Sequence, residues 1–324
     1  MTPPPDQLVS VIIPAYRRPE KLRAAVRSLL AQDLDPRQFE LIVVDSSPDD
    51  TNAAVIAALQ ETARCPLRFF RKPPEGPGPS RNLGAREARG GFLAFLDSDC
   101  QASPQWLREG IAAFEAGVGI VQGRTMPEPG VPHSVFNHEF KVEQESFLYE
   151  TANIIYRREA FEQVGGFLPD LAPRSDKPMG GEDVDLAWRV KRAGWQSRFA
   201  EHALVTHEVE RLRPWRWFCA KKTLFICPHL VRRYPELRRF FFARYFFDKI
   251  QAELVLALVG LALAVVTRMA MVLALPYVIT RVAQPSRTLR GPRRLLRVLF
   301  YLPRDLVSLG LLLAGSVRFR ALLL

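Results

Sequence analysis

The chain has 324 residues, 48% of them hydrophobic, and its 45 Lys and Arg against 34 Asp and Glu give a formal charge of +11. That length suits one large domain, or a domain of roughly 200–250 residues with an appendage, and excludes a chain too small to bury a core. The basic excess asks for an acidic partner, whether nucleic acid, anionic lipid or a phosphorylated substrate, while four scattered cysteines (Cys65, Cys100, Cys219, Cys227) with no C-x-x-C pair argue against a zinc knuckle or a disulfide framework and for reduced thiols.

The opening MTPPPDQLVS has neither a basic start nor an apolar core, so a secretory signal peptide is not expected. LVSVII, from Leu8 to Ile13, reads as a buried strand stopped by Pro14. A helix follows with Pro19 in its first turn, and Leu22, Ala25, Val26, Leu29 and Leu30 fall on one face of a 3.6-residue period. FELIVV is the next strand and runs into Asp45; a helix is predicted from about Thr51 to Thr62, and LRFF is a third strand. After KPPEGPGPS, Ser80 is placed to cap a helix ending near Gly90, and GFLAFL then runs into Asp97-Ser98-Asp99. Ser103-Pro104 reads as the cap and first residue of a further helix. Strands alternating with helices of this length imply βαβ units and a mostly parallel sheet, with ligands beyond the carboxyl ends of the strands. Asp45 and the Asp97–Asp99 pair sit at such ends.

In extended backbone, side chains two apart share a face, so Asp97 and Asp99 converge and need a cation, a proton or a solvated turn to relieve their repulsion. Pro14-Ala15-Tyr16 makes a tight turn whose backbone and ring offer a cradle for a nucleobase, and Asp45 is either a hydrogen-bond acceptor for a base or ribose or an Asx-turn cap. Arg81 and Asn82 follow a Gly/Pro loop at a helix start, a place that favours anions. GGEDVDLAWRVKRAG puts Glu182 and Asp183 in the first turn of a helix that Gly194 ends.

The composition changes after about Val209, where arginine mixes with aromatic and aliphatic residues in RLRPWRWF, LVRRYPELRRFFFARYFF and RTLRGPRRLLRVLFYLPRD. Leu254–Thr280 is almost wholly apolar, interrupted by Arg268 and Pro276, and reads as one tilted span or a shallow hairpin turning near Arg268; Leu306–Val317 is too short to span by itself. A cytosolic bundle is the alternative, but arginine flanking leucine and aromatic faces marks interfacial helices on anionic lipid. The expected division is residues 1–208, catalytic, and 209–324, membrane-associated.

Four pieces stand in a telling order: VSVIIPAYRRPEKL, LIVVDSSPDDT, GPSRNLGAREARGGFLAFLDSDC, and GGEDVDLAWRVKRAGW followed by ALVTHE. Over Leu8 to His207 this resembles family 2 glycosyltransferases of the GT-A fold. The resemblance implies an α/β fold with a Rossmann-like sheet, and an enzyme that transfers a sugar from a UDP-, GDP- or dTDP-linked donor with inversion. It assigns Pro14, Ala15, Tyr16, Asp45, Arg81, Asn82, Asp97 and Ser98 to the nucleotide sugar. It assigns Asp97, Asp99 and the downstream His207 to Mg²⁺ or Mn²⁺, and Glu182 and Asp183 to catalysis, with Asp183 as general base. Ser46 stands where the family often has a second acid or amide, which leaves the base preference open. Cys100 reads as a small buried neighbour.

On the acceptor side, the resemblance offers Asn153 and the Gly165-Gly166-Phe167 turn, with plain packing as the alternative, and Gly181 before the acids. RPWRW fits a variant of a motif in which a tryptophan, here Trp217, stacks on an acceptor sugar; an interfacial anchor is the competing reading. A single-addition enzyme on the cytoplasmic face with a lipid-linked or cell-envelope glycan acceptor is expected. The rivals are a catalytically silent scaffold of the same fold and a basic nucleic-acid-binding protein, the latter disfavoured because the arginines interleave with long aliphatic runs.

Overall fold

A computed structural model describes residues 7–171, 180–219, 221–284 and 291–324, and the chain divides into two compact units, Met1–Leu212 and Arg213–Leu324. In the first unit, β1 (Val9–Ala15) leads to α1 (Pro19–Leu30), β2 (Phe39–Asp45) to α2 (Thr51–Gln60), and β3 (Leu67–Arg71) to α3 (Pro77–Glu87). Then come β4 (Phe92–Leu96), β5 (Cys100–Ala102), α4 (Trp106–Ala112), β6 (Val118–Pro127), the short β7 (Asn137–His138), β8 (Asn153–Arg157) and α5 (Arg158–Gln163). The unit closes with α6 (Glu182–Arg192), β9 (Gln196–His207) and β10 (Glu210–Arg211).

Eight strands form one mixed sheet in the order β3-β2-β1-β4-β8-β6-β9-β5. The first four are mutually parallel, β1 pairing with β2 from Val9↔Phe39 to Ala15↔Asp45 and with β4 from Val9↔Phe92 to Phe95↔Ile12. The pattern of the sequence explains this half. β1 and β2 are buried almost throughout, as parallel strands covered on both faces must be. Helix α1 turns Leu22, Ala25, Val26 and Leu29 inward, each large side chain contributing roughly 1.5–3 kcal/mol by burial. The second half runs differently: β8 is antiparallel to both β4 and β6, while β9 runs parallel to β6 and antiparallel to β5. The β5–β9 register sets Cys100 opposite His207. The far end of the sheet therefore returns a histidine to the carboxyl end of β4.

Two helix starts differ from expectation. Helix α3 begins at Pro77, so Ser80 lies inside it and its hydroxyl donates back to the Gly76 carbonyl at 3.3 Å. Helix α4 begins at Trp106 with no side-chain cap, leaving Ser103 and Pro104 in the turn before it.

The second unit contains α7 (Pro214–Cys219), α8 (Cys227–Arg233), α9 (Lys249–Leu263), α10 (Leu275–Ala283) and α11 (Leu296–Phe319), with 3₁₀ turns between them, one spanning Arg268–Ala274. The run Leu254–Thr280 is thus not one helix. Leu306–Val317, by contrast, is part of a longer helical stretch, because the Leu- and Arg-rich residues before it are helical too; Arg293–Phe319 is long and apolar enough to cross a membrane by length and composition. Leu254, Tyr277 and Leu309 form the centre of this unit's small core.

Candidate active site

A cleft of about 610 Å³ opens where β1, β2 and β4 end. Pro14, Ala15, Tyr16 and Arg18 form one wall, Ser46 and Ser80 the back, Gly76 and Pro77 the lip, and Arg81 with Asp97-Ser98-Asp99 the floor. The parallel register delivers these groups together, since ligand sites of such sheets lie outside the carboxyl strand ends.

The centre of the floor is Arg81, only 4% exposed. Its guanidinium donates to Asp97 Oδ1 at 2.7 Å and to Glu182 Oε1 at 3.2 Å, and lies 3.7 Å from Asp183 Oδ1. One buried cation thus ties the acids at the end of β4 to the acids that open α6. Burial disfavours its charge, but Asp97, Asp183 and Glu182 outweigh that and push the guanidinium above its ordinary value, so it stays protonated. The α3 N-terminus was expected to offer unpaired N–H groups to an anion. Pro77 and Pro79 remove two of its first three donors, and the Gly78 N–H donates to Glu182. The acid at that helix end is the protein's own, the raised carboxyl of Glu182.

Gly181, at φ 82°, begins α6 in the left-handed conformation that glycine adopts without penalty, and this turn sends the next two side chains to opposite fates. Glu182 has a 4% exposed side chain, and burial together with Asp183 pushes it up to about 8. Asp183 keeps 26% of its side chain accessible, so of the two it is the acid a substrate can reach. Its Oδ2 accepts from both the N–H and the hydroxyl of Thr151, each at 3.2 Å. Burial raises it, Arg81 opposes and Asp97 adds to the rise, so its basicity lies above that of a free aspartate.

At the other edge, Asp99 Oδ2 meets Arg18 Nη1 at 3.3 Å and its Oδ1 lies 3.7 Å from His207 Nε2. Burial and then Asp97 raise the Asp99 carboxyl. His207 Nδ1 lies 2.8 Å from the Glu208 carbonyl, which can only accept, so Nδ1 carries the hydrogen of that contact and Nε2 is the nitrogen that faces Asp99. Donor atoms of Asp99, Cys100 and His207 all lie within 4.8 Å of one another. The Cys100 thiol is buried and pushed well above its ordinary value, by burial and then Asp97 and Asp99, so it stays protonated. Asp99 and His207 offer a hard oxygen and an imidazole, donors that Mg²⁺ or Mn²⁺ accepts, whereas Asp97 lies outside the group of donors that close within 4.8 Å and is engaged by Arg81. Asp97, Asp99 and Asp183, set against Arg81 and a half-exposed Arg18, leave negative charge for a cation to neutralise.

Other residues named from the sequence lie elsewhere. Asp45 is fully buried behind Ser46; its Oδ1 accepts from the Ser47 N–H and hydroxyl and from Asn52 Nδ2, while Oδ2 is buried without a partner. Asn82 is corrected from a donor-binding to a positioning role. Its Nδ2 donates to the Phe167 carbonyl at 2.7 Å and its Oδ1 accepts the Phe167 N–H at 2.9 Å, stapling the Gly165-Gly166-Phe167 turn to α3. Asn153 is corrected likewise. It is 2% exposed, donates to the Arg124 and Ala203 carbonyls and accepts from Trp106 Nε1, which leaves nothing for an acceptor. Trp217 is buried in the second unit, with the Phe300 ring at 5.0 Å, Tyr301 at 5.5 Å and the Arg304 guanidinium 4.1 Å over its face. Trp217 is thus a packing residue of that unit, whereas Trp215 of the same stretch is 64% exposed and keeps the interfacial-anchor reading open.

Sequence reasoning passed over three residues. Arg18 lies two residues past Tyr16 at the end of β1, and two successive left-handed residues, Arg17 at φ 57° and Arg18 at φ 58°, aim it at Asp99. Ser80 pairs with Ser46, their hydroxyl oxygens 3.2 Å apart. Thr151 opens the TANIIY stretch two residues before Asn153, and that proximity was its only signal.

Comparison with known proteins identifies the family and the fold. The model of glycosyl transferase family 2 matches residues 10–173, and that of glycosyl transferase family group 2 matches residues 92–283. Glycosyltransferase AglE of Haloferax volcanii is 28% identical over 209 residues, covering 61% of this chain and 66% of its own length. The pre-mycofactocin glycosyltransferase of Mycobacterium tuberculosis is 29% identical over 240 residues, 65% of this chain and 45% of its own. The chain therefore spans about two thirds of the first relative and under half of the second. Among solved structures, mannosyltransferase PcManGT from Pyrobaculum calidifontis, in complex with GDP-Man and Mn²⁺, superposes with a TM-score of 0.59 at 19% identity, covering 98% of this chain and 89% of that one. S. aureus TarS 1–349 in complex with UDP gives 0.51 at 17% identity, covering 96% and 91%. These likenesses establish the GT-A architecture. With the family model matching half of the sequence and the paired acids in their places, the chain belongs to glycosyl transferase family 2.

Proposed function

We propose that the protein transfers a sugar from a nucleotide-sugar donor to a hydroxyl or phosphate acceptor, with inversion and with a divalent metal. The observation that carries this is Arg81, which joins Asp97, beside the donor cleft, to Asp183, the one accessible acid of α6. In the proposed reaction the acceptor O–H gives its proton to the Asp183 carboxylate as its oxygen bonds to the anomeric carbon. The bond from that carbon to the donor phosphate breaks on the opposite face, and its electron pair leaves with the nucleoside diphosphate. Asp97, Asp99 and His207 would hold Mg²⁺ or Mn²⁺, which when bound neutralises charge building on the departing diphosphate. Thr151 holds the base in place, and the Pro14–Tyr16 turn with Ser46 and Ser80 offers the donor its wall. No second carboxylate acts as nucleophile, so attack is direct.

The acceptor reading rests on the second unit, whose basic and apolar residues suit a seat on an anionic membrane at the cytoplasmic face and a lipid-linked or envelope-glycan acceptor. Two solved structures of this fold are complexes with GDP-Man and with UDP, so both nucleotide classes enter the set to be tried, with dTDP beside them. The test is a thermal-shift panel of UDP-, GDP- and dTDP-sugars with and without Mn²⁺, since a ligand held by the native state alone raises apparent stability. One class of donor should raise the Tm only when Mn²⁺ is present. A shift that persists in EDTA would remove the metal from the reading, and the absence of any shift would favour the silent scaffold.

A further inference from the structure

In the second unit the apolar run Leu254–Thr280 reverses direction. Helix α9 starts at an Asp248 cap, whose Oδ1 accepts the Gln251 N–H at 2.8 Å, and ends at Leu263. The Val266 and Thr267 N–H groups both donate to the Leu263 carbonyl, closing a turn. The chain then returns as the Arg268–Ala274 3₁₀ segment against α9. Gly260 makes the return possible: a Cβ there would lie 2.6 Å from the Ala270 carbonyl oxygen and 2.7 Å from Leu273 Cβ, so only glycine lets the two arms close.

The tip of this hairpin is apolar and bare. Val265 is 90% exposed, Val266 86% and Met269 77%, with Leu261, Leu275 and Ile279 also outside. Arg268 is the one charged residue between positions 254 and 280. The same arm borders an apolar groove of about 330 Å³ between α9 and α11, lined by Val255, Leu258, Val259, Ala262, Leu309 and Leu313. The unit as a whole carries 20 Lys and Arg against 4 Asp and Glu, a net charge of +16. Large apolar side chains in water beside such a positive excess complement an anionic lipid surface, where acyl chains take the first and headgroups the second.

Length decides how deep the hairpin goes. The 15 residues of α9 extend about 22 Å at 1.5 Å per residue, short of the ~30 Å hydrocarbon core. The open turn at 264–267 cannot sit at the bilayer centre, where unpaired backbone groups find no partner. In α11, Asp305 is buried with Arg281 and accepts from the Tyr277 hydroxyl at 2.7 Å, so that helix is held by polar contacts inside its own unit.

We propose that residues 261–279 form a wedge that enters one leaflet of an anionic bilayer, with Val265, Val266 and Met269 leading, and does not span it. This rests on the membrane-associated reading above and specifies how that association is made. The test uses the full chain with vesicles of 3:1 POPC:POPG and of POPC alone. Wild type should float with the anionic vesicles and at least tenfold less with POPC. V265E/V266E should lose at least tenfold in flotation while keeping the wild-type thermal shift with nucleotide sugar. In V266W, lipid brominated near the headgroup should quench the added fluorescence more than lipid brominated near the chain end. If wild type floats with neither vesicle, the membrane reading itself falls and the wedge with it. Equal flotation of V265E/V266E and wild type overturns the wedge alone. Stronger quenching from the chain end makes the segment a span and overturns it too. Self-association without vesicles that V265E/V266E abolishes, with flotation unchanged, makes the tip a contact between copies instead.

Discussion

The two units of this chain handle charge in opposite ways. Met1–Leu212 holds 25 Lys and Arg against 30 Asp and Glu, a net charge of −5, whereas Arg213–Leu324 holds +16. In the first unit charge is buried and matched atom to atom: Arg81 lies among three carboxylates, and Glu40, 1% exposed, accepts from Ser10 and the Arg89 N–H. In the second unit positive charge outruns its counter-ions and shares the surface with bare valine and methionine. The overall +11 that first suggested a nucleic-acid partner is therefore not a property of the cleft. It belongs to the other unit, and the unit that carries the cleft is net negative.

That contrast can be attacked at its strongest point. Asp183→Asn should lower kcat by roughly 10²–10⁴-fold, the range for losing a general base, while the donor-induced thermal shift stays near wild type; near-normal turnover would refute the assignment. Arg81→Ala should cost roughly 3–5 kcal/mol, because it leaves buried carboxylates without their cation. A drop in Tm of only a degree or two would mean that charge matching in the first unit is ornamental. Thr151→Ala should slow turnover by roughly tenfold, about the 1.4 kcal/mol of a lost hydrogen bond to a charged group; Thr151→Ser should recover most of it, and equal rates in both variants would show that the base needs no holder.

The smallest effect concerns pH. Glu182 is raised from an ordinary value near 4.5 to about 8 by burial and Asp183. A raised carboxyl contributes stability that is fully present below about pH 4.5 and is lost as pH rises through about 8. The Tm of metal-free protein should therefore fall across that window, and Glu182→Gln should flatten the fall. Parallel curves for the two proteins would show that Glu182 is charged in the native state at neutral pH.

Much of the first unit is legible without coordinates, because its signals are local. The apolar run into Asp45 marks a strand end, and Leu22, Ala25, Val26 and Leu29 repeat at helical spacing, whereas Pro14 does not stop β1, which stays paired with β2 through Ala15. What cannot be read is which partner an amide finds. Asn82 and Asn153 sit in suggestive motifs, yet each is engaged by backbone groups brought near by tertiary packing, Phe167 in one case and Arg124 and Ala203 in the other. Arg18 escaped notice because its aim depends on two left-handed residues that no glycine announces. In the second unit composition suggests a span or a hairpin with equal force, and the choice turns on Gly260, whose missing side chain matters only once the returning arm is known.

The sharing of Arg81 has a consequence for how variants of this protein must be interpreted. Asp97→Asn would not be a pure metal-site lesion, since it also turns a charge-assisted hydrogen bond from Arg81 into a neutral one and removes a charge that raises the basicity of Asp183. Likewise, a change at Asp183 alters what holds Asp97 in place. Single substitutions across this guanidinium should be strongly non-additive, and the coupling between Asp97 and Asp183 is a quantity that only a double-mutant cycle reads. Donor site and base are, in that sense, one genetic locus rather than two.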